Sequence, residues 1–285
     1  MTSISSDHIL SQILTVKRQE VEGKRKQMSL EMVRIKAQAI EKPCRHFKTA
    51  LETRILAKKP AVIAELKKAS PSKGVIRQDF DIFALARAYE RGHATCLSVL
   101  TDQTFFQGHD SFLSQVRETV DLPLLRKDFI INEYQVYESR MLGADAILLI
   151  AAVLKPEQIR DYAHVAEELG MGVMIEVHSL EEYNAVSSLT GHAMIGINNR
   201  DLKDFSVDLN TTLTINESLK PGQWCITESG ISNRADVEFM LKHDIYGFLV
   251  GEALMKFEDP YDGLSVLFPE LELEHDATFN VESLM

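Results

Sequence analysis

Short apolar runs recur down this chain, and six of them end by turning polar. Ala61-Val62-Ile63-Ala64 runs into Glu65 and Lys67, and Leu122-Pro123-Leu124-Leu125-Arg126 into Lys127-Asp128. Gly172-Val173-Met174-Ile175 meets Glu176, and Met194-Ile195-Gly196-Ile197 meets Asn198-Asn199-Arg200. Trp224-Cys225-Ile226-Thr227 is followed by Glu228-Ser229-Gly230, and Gly247-Phe248-Leu249-Val250 by Gly251-Glu252. A short apolar run bounded by polar residues reads as a buried strand. Repeated strands of this kind with polar carboxyl ends mark a parallel α/β fold, in which ligands sit at those ends.

Helical segments fill the intervals. Strands are predicted near 61–67, 96–100, 123–127, 146–150, 172–177, 194–198, 224–228 and 247–251. Helices follow them near 79–91, 110–119, 133–142, 156–169, 180–189, 209–218, 232–243 and 261–268. Eight such repeats predict an α/β fold, a single closed (β/α)8 TIM barrel. Asp79, Asn132, Lys155-Pro156, Ser179 and Ser232 stand where helix N-caps are expected, and Gly92, Gly143, Gly170 and Gly191 where helices should stop. Residues 7–40 and 45–58 read as helical before the first strand, with Ser29-Leu30-Glu31-Met32 only loosely resembling a capping box. The expected organisation is an N-terminal helical extension over 1–60, a barrel over 61–268 and an acidic, poorly ordered tail over 269–285.

A length of 285 residues suits one such barrel, and 45% hydrophobic with 26% charged residues suits a soluble globular enzyme. The net charge of −11 offers no general attraction to nucleic acid or to an anionic membrane, so an anionic substrate needs a local cationic pocket. The cysteines, Cys44, Cys96 and Cys225, lack metal-ligand spacing and fit a reduced, cytoplasmic compartment. No signal peptide or membrane-length apolar run is evident, and no membrane partner is expected. The expected oligomeric state is a monomer or weak homo-oligomer.

Glu65 and Lys67 are two apart on a strand end and so share a face. They read either as a structural ion pair or, at the position where barrel catalysis sits, as active groups. Lys127 reads the same way; the plain alternative is a lysine snorkelling to solvent, and only one of Arg126, Lys127 and Asp128 is expected to face the mouth. Glu176 is in phase with Met174 and so continues an inward set. Asn198, Asn199 and Arg200 follow the sixth strand; asparagines at strand ends are often just turn formers, so Asn198 taken alone is weak evidence. The paired loops opened by Glu228-Ser229-Gly230 and Gly251-Glu252 suit a phosphate held by backbone N–H groups, with Ser70 as a third donor; ordinary turn glycines are the alternative. There is no dinucleotide fingerprint, P-loop, nucleophile elbow or paired histidine spacing. The expected chemistry is therefore by lysine and carboxylate, with no metal and no cofactor. His178 reads as a loop residue with a local role left open.

Taken in order, these residues resemble the indole-3-glycerol-phosphate synthase family. The resemblance rests on Glu65-Leu66-Lys67-Lys68-Ala69-Ser70-Pro71-Ser72-Lys73-Gly74, Leu125-Arg126-Lys127-Asp128-Phe129-Ile130 and Gly196-Ile197-Asn198-Asn199-Arg200-Asp201-Leu202. Glu228-Ser229-Gly230-Ile231 and Leu249-Val250-Gly251-Glu252-Ala253-Leu254-Met255 add to it, and it spans about residues 7 to 260. The resemblance implies conversion of 1-(2-carboxyphenylamino)-1-deoxyribulose 5-phosphate into indole-3-glycerol phosphate with loss of carbon dioxide and water. It implies Lys127 as general acid at the ketone, Lys67 as the cation for the substrate carboxylate, and Glu176 as proton donor or acceptor. Glu65 and Asn198 would orient these groups, and Arg200 would support the site by hydrogen bonding. Ser70, Ser229, Gly230, Gly251 and Glu252 would hold the phosphate. A second lysine nearby is expected to lower the pKa of the general acid. The leader helices are expected to cover the site.

Two other functions compete. An isomerase of phosphoribosylanthranilate type needs an acid and a base at strand ends, typically a cysteine and an aspartate, and here the first strand ends in Glu65 and Lys67. A non-catalytic barrel that binds a phosphorylated ligand would not need the full polar set. A lysine Schiff-base aldolase is a further reading of Lys67 or Lys127.

Overall fold

The computed structural model describes residues 6–188, 193–201 and 204–271. Eight strands form a closed, all-parallel barrel: β1 (Ala61–Leu66), β2 (Cys96–Leu100), β3 (Leu124–Lys127), β4 (Ala146–Ile150), β5 (Gly172–Val177), β6 (Met194–Asn198), β7 (Trp224–Glu228) and β8 (Gly247–Val250). Each pairs with the next in chain order, and β8 closes onto β1 with Ala61 opposite Gly247. Closure removes every exposed edge from the barrel sheet.

Helices α1 (Ser6–Gln27), α2 (Leu30–Gln38) and α3 (Phe47–Leu56) precede the barrel. Around it run α4 (Ile82–Arg91), α5 (Asp110–Thr119), α6 (Glu133–Leu142), α7 (Pro156–Glu168), α8 (Leu180–Val186), α9 (Asn210–Asn216), α10 (Arg234–Lys242), a single turn α11 (Glu252–Met255) and α12 (Pro260–Leu267). The expected helices at 110–119 and 133–142 match these bounds, whereas that near 180–189 ends at Val186, and residues 189–192, Gly191 among them, lie outside the described residues. The residues 272–285 of the expected tail also lie outside them.

Several local expectations change. The leader is not one helix over 7–40: Ser29 breaks it and caps α2 by accepting the Met32 N–H. Asp81, not Asp79, caps α4 through the Phe83 and Ala84 N–H groups, because its extended backbone turns the carboxylate back onto the first turn. Asn233, not Ser232, caps α10, with Asp236 completing a reciprocal box. The segment after β1 is more than a loop: Ala69–Ser70 pairs antiparallel with Gly74–Val75.

Strand parity separates two cores. Ala61, Ile63, Cys96, Leu125, Leu148, Met174, Met194, Ile226 and Leu249 fill the barrel interior, joined by Phe47 and Leu51 of α3 at the strand starts. Their neighbours Val62, Ala64, Leu97, Leu124, Ile147, Val173, Ile175 and Ile195 pack outward against the helices. Because side chains alternate with period two, the next inward positions above this interior core are Glu65, Lys127, Glu176, Asn198 and Glu228. The strands thus raise their polar residues at one end, above an apolar floor.

Candidate active site

A cavity of about 530 Å³ opens at the carboxyl ends of the strands. Glu65, Lys67, Lys127, Glu176 and Asn198 line it, and so do Ser70, Arg200, Ser229, Gly230, Gly251 and Glu252. All eleven residues singled out in the sequence therefore share one space. Ile9, Leu10 and Ile13 of α1 line it as well, so the first helix stands at the mouth.

Lys127 Nζ lies 2.8 Å from Glu176 Oε2 and 2.6 Å from Glu228 Oε2. Glu176 Oε1 accepts a hydrogen bond from Asn198 Nδ2 at 3.2 Å. Lys67 Nζ pairs with Glu65 Oε1 at 2.5 Å. Glu65, Glu176 and Glu228 are all buried. Such carboxylates persist in a dry interior only when cations and donors replace their water.

The environment separates the titrations. Burial works against the Lys127 charge, but Glu176, Glu228 and Glu65 outweigh it and hold the amine well above the ordinary lysine range. The expected lowering by a neighbouring lysine is overturned, because the second lysine is engaged with Glu65 and carboxylates touch Lys127. Burial alone would raise Glu176, yet Lys127 and His178 drive it well below the usual carboxylate range. Burial pushes Glu228 up to about 7; Lys127 opposes this, while Glu176 and Glu65 add to it. The two acids that share one ammonium are thus driven apart.

Glu228, expected at the opening of the loop after the seventh strand, ends β7 and is central to the site. The signal was its parity with Ile226, the same one that located Glu176. Two glycines make room for the acids. A Cβ at Gly196 would overlap Glu228 Oε1, and one at Gly251 would press on Glu65. Asn199 anchors the end of β7 by donating to Thr227 Oγ1 at 2.9 Å and to the carbonyls of Glu228 and Ser229 at 3.0 Å each. Its partner Asn198 faces the cavity, so the adjacent asparagines divide support from access.

Of Arg126, Lys127 and Asp128, Lys127 turns its charged end to the site acids. Asp128 also borders the cavity, but its carboxylate is taken up by Thr101, Arg126 and Lys17. Arg126 points outward with the opposite parity and binds Asp110, Asp128 and Glu138. Lys17 of α1 reaches Asp128 Oδ1 at 2.9 Å and Asp102 Oδ2 at 3.0 Å.

At the other side of the mouth, Ser229 has φ +61, an uncommon left-handed conformation for a serine, at the turn into the Gly230 loop. Gly251 precedes the single turn α11. The Glu252 carboxylate pairs with Lys256 at 2.8 Å and stands 3.8 Å from Arg200. Backbone N–H groups at a glycine loop and a helix start suit an anion, and the loops after the last two barrel strands are a recurring phosphate site. Among the described residues, no group of three or more His, Cys, Asp or Glu side chains is disposed to hold a metal ion.

A family model described as indole-3-glycerol phosphate synthase matches residues 10–265. The chain is 47% identical over 264 residues to the indole-3-glycerol phosphate synthase of Variovorax paradoxus, covering 91% of this chain and 98% of that one. It is 49% identical over 251 residues to the protein of the same name from Neisseria meningitidis serogroup B, covering 88% and 95%. Among solved structures, it resembles the N-acetylmannosamine-6-phosphate 2-epimerase of Clostridium perfringens with a TM-score of 0.55 at 14% identity, over 79% of this chain and 95% of that one. At that identity the likeness is one of fold.

Proposed function

The chain belongs to the indole-3-glycerol phosphate synthase family, and from that premise we infer that Lys127 is the general acid of its ring-closing step. The reaction is the conversion of 1-(2-carboxyphenylamino)-1-deoxyribulose 5-phosphate to indole-3-glycerol phosphate, a carboxy-lyase step of tryptophan biosynthesis. The observation that carries the assignment is the Lys127 ammonium held between Glu176 and Glu228 in the cavity.

Ring closure begins when the ring carbon that bears the carboxylate attacks the ketone. The ketone oxygen becomes an alkoxide, a stronger base than an amine, so the Lys127 proton moves to it even though its neighbours hold it tightly. Attack leaves a cationic iminium in the substrate itself. The carbon–carboxylate bond then breaks, its electron pair restores the aromatic ring, and carbon dioxide leaves. Loss of the new hydroxyl as water requires a second proton on oxygen, while the adjacent carbon gives one up. One net proton is consumed per turnover. Glu176 is the group we assign to the dehydration transfers, and Lys67 to the substrate carboxylate. Glu65 and Asn198 orient Lys67 and Glu176, a role supported by their contacts. Ser70, Ser229, Gly230, Gly251 and Glu252 receive the phosphate in this reading, with Arg200 bracing Glu252 from the loop after β6.

No helix among the described residues is long and apolar enough to cross a membrane. A cytoplasmic compartment, supported by the three free cysteines, and a monomeric or weakly associating state complete the proposal. The test is to supply the carboxyphenylamino-deoxyribulose phosphate to the purified protein and follow indole fluorescence. Lys127→Ala should lower turnover by roughly 100-fold or more while the affinity for a phosphate ligand persists. Turnover that survives the change would remove Lys127 from the role.

A further inference from the structure

Among the described residues, Glu176 has a second charged contact besides Lys127, His178, to which the reaction assigns no part. It follows β5 in phase with Met174 and Glu176, and it lines the same cavity. Its Nε2 is buried, 3.2 Å from Glu176 Oε1, without the alignment of a hydrogen bond. Its Nδ1 lies 3.2 Å from Glu182 Oε2. The same Glu182 oxygen accepts the His178 backbone N–H at 2.8 Å, and the Glu182 N–H donates to Ser179 Oγ, the N-cap of α8. The ring is therefore held between two carboxylates, one of which is fixed by the helix cap.

We propose that His178 is a positioning residue that, as an imidazolium, keeps Glu176 ionised and aimed through the moment when Lys127 has given up its proton. The proposal rests on Glu176 acting as the acid–base group of dehydration. Before ring closure, Glu176 faces two cations, Lys127 of β3 and His178 of its own strand end, with neutral Asn198 of β6 beside it. Nearby among the described residues stand Glu182 of α8, facing the far side of the imidazole, Glu228 of β7, behind Lys127, and Glu65 of β1, which acts on both Lys127 and Glu228. When Lys127 becomes neutral, one cation disappears from this set and the carboxylate would become far easier to protonate. The imidazolium is the charge that stays. It leaves Glu176 free as a base to take the proton from the carbon beside the departing hydroxyl.

The two flanking carboxylates hold His178 well above the ordinary histidine range, at about 10, although burial opposes the charge. It is thus charged at neutral pH and loses its proton before Lys127 does.

The test compares His178→Asn and Glu182→Gln with the unaltered enzyme, reading kcat, KM and the pH dependence of kcat. In His178→Asn, kcat should fall on the order of tenfold or more with little change in KM. Its acid limb should move to higher pH by about one unit or more, since Glu176 has lost a cation. In Glu182→Gln, which keeps an oxygen for the His178 N–H but removes the charge, the alkaline limb should move to lower pH. An unmoved acid limb in the first variant, or an unmoved alkaline limb in the second, overturns the proposal. A fall in kcat matched by a fall in folded fraction, with both limbs in place, overturns it too. Glu176→Gln separates the premise: normal turnover in that variant would instead remove the acid–base reading of Glu176.

Discussion

An ammonium taken out of water is destabilised by several kcal/mol unless anions stand in for its hydration, and Glu176 and Glu228 do this for Lys127. The same contacts set the chemistry, because two acids competing for one cation do not titrate alike. Glu228, pushed up to about 7, takes a proton first as pH falls. Protonation weakens its hold on Lys127 in the free enzyme, so kcat/KM, which reports the free enzyme, should drop below about pH 7 and Glu228→Gln should abolish that limb, whereas the acid limb of kcat reports Glu176 in the bound complex. His178 couples folding to pH with the opposite habit from an acid. An unfolded histidine titrates near 6.5, whereas in the fold the value is about 10. Its contribution to stability is fully present below about 6.5 and is lost as pH rises towards 10. Denaturant titrations at pH 6 and 9.5 should show this decline, and His178→Asn should flatten it. Parity made Glu65, Lys127 and Glu176 legible in the sequence. Glu228 was equally in phase, but its neighbours Ser229 and Gly230 drew the reading towards a phosphate loop. His178 was legible only in part: its place two residues after Glu176 left a local role open, but Glu182 meets it only through the turn into α8.

At the scale of elements, the first helix is joined to the site by a buried ion pair. Lys17 is 3% exposed, low enough that its loss leaves charge stranded on Asp128 and Asp102. Asp128 in turn braces Arg126, and Arg126 meets Asp110 and Glu138, which also hold Lys24 of α1. The helix is thus fastened at two levels to the strand that carries Lys127. Lys17→Met should destabilise the protein by roughly 3–5 kcal/mol, the range for breaking one side of a buried pair. It should also raise KM, since Ile9, Leu10 and Ile13 are on the same helix and wall the cavity. Thermal denaturation and steady-state kinetics measure the two effects separately. The helical character of this leader was readable from its apolar spacing. Its break at Ser29 was only hinted at by a loose resemblance to a capping box, because the cap depends on backbone direction as well as on residue type.

For the whole molecule, the closed sheet ties the last strand to the first across the longest sequence separation in the barrel. Amides of β1 and β8 should therefore exchange with solvent only through global opening, while those of α1, packed along one face, should exchange through smaller local openings. Hydrogen exchange read by mass spectrometry or NMR distinguishes the two classes. The alternation of apolar strands and amphipathic helices, and the phase of the polar residues at strand ends, belong to the sequence by itself, since period two and period 3.6 are local properties of the backbone. They suffice for a barrel whose ligand end carries lysines and acids. The partnerships among those groups were decided only by closure. Lys127 and Glu228 are 101 residues apart and come within 2.6 Å because their strands curve round to a common axis. Burial and the nearest charge then select which acid stays ionised, and both are properties of three-dimensional neighbours that no one-dimensional spacing contains.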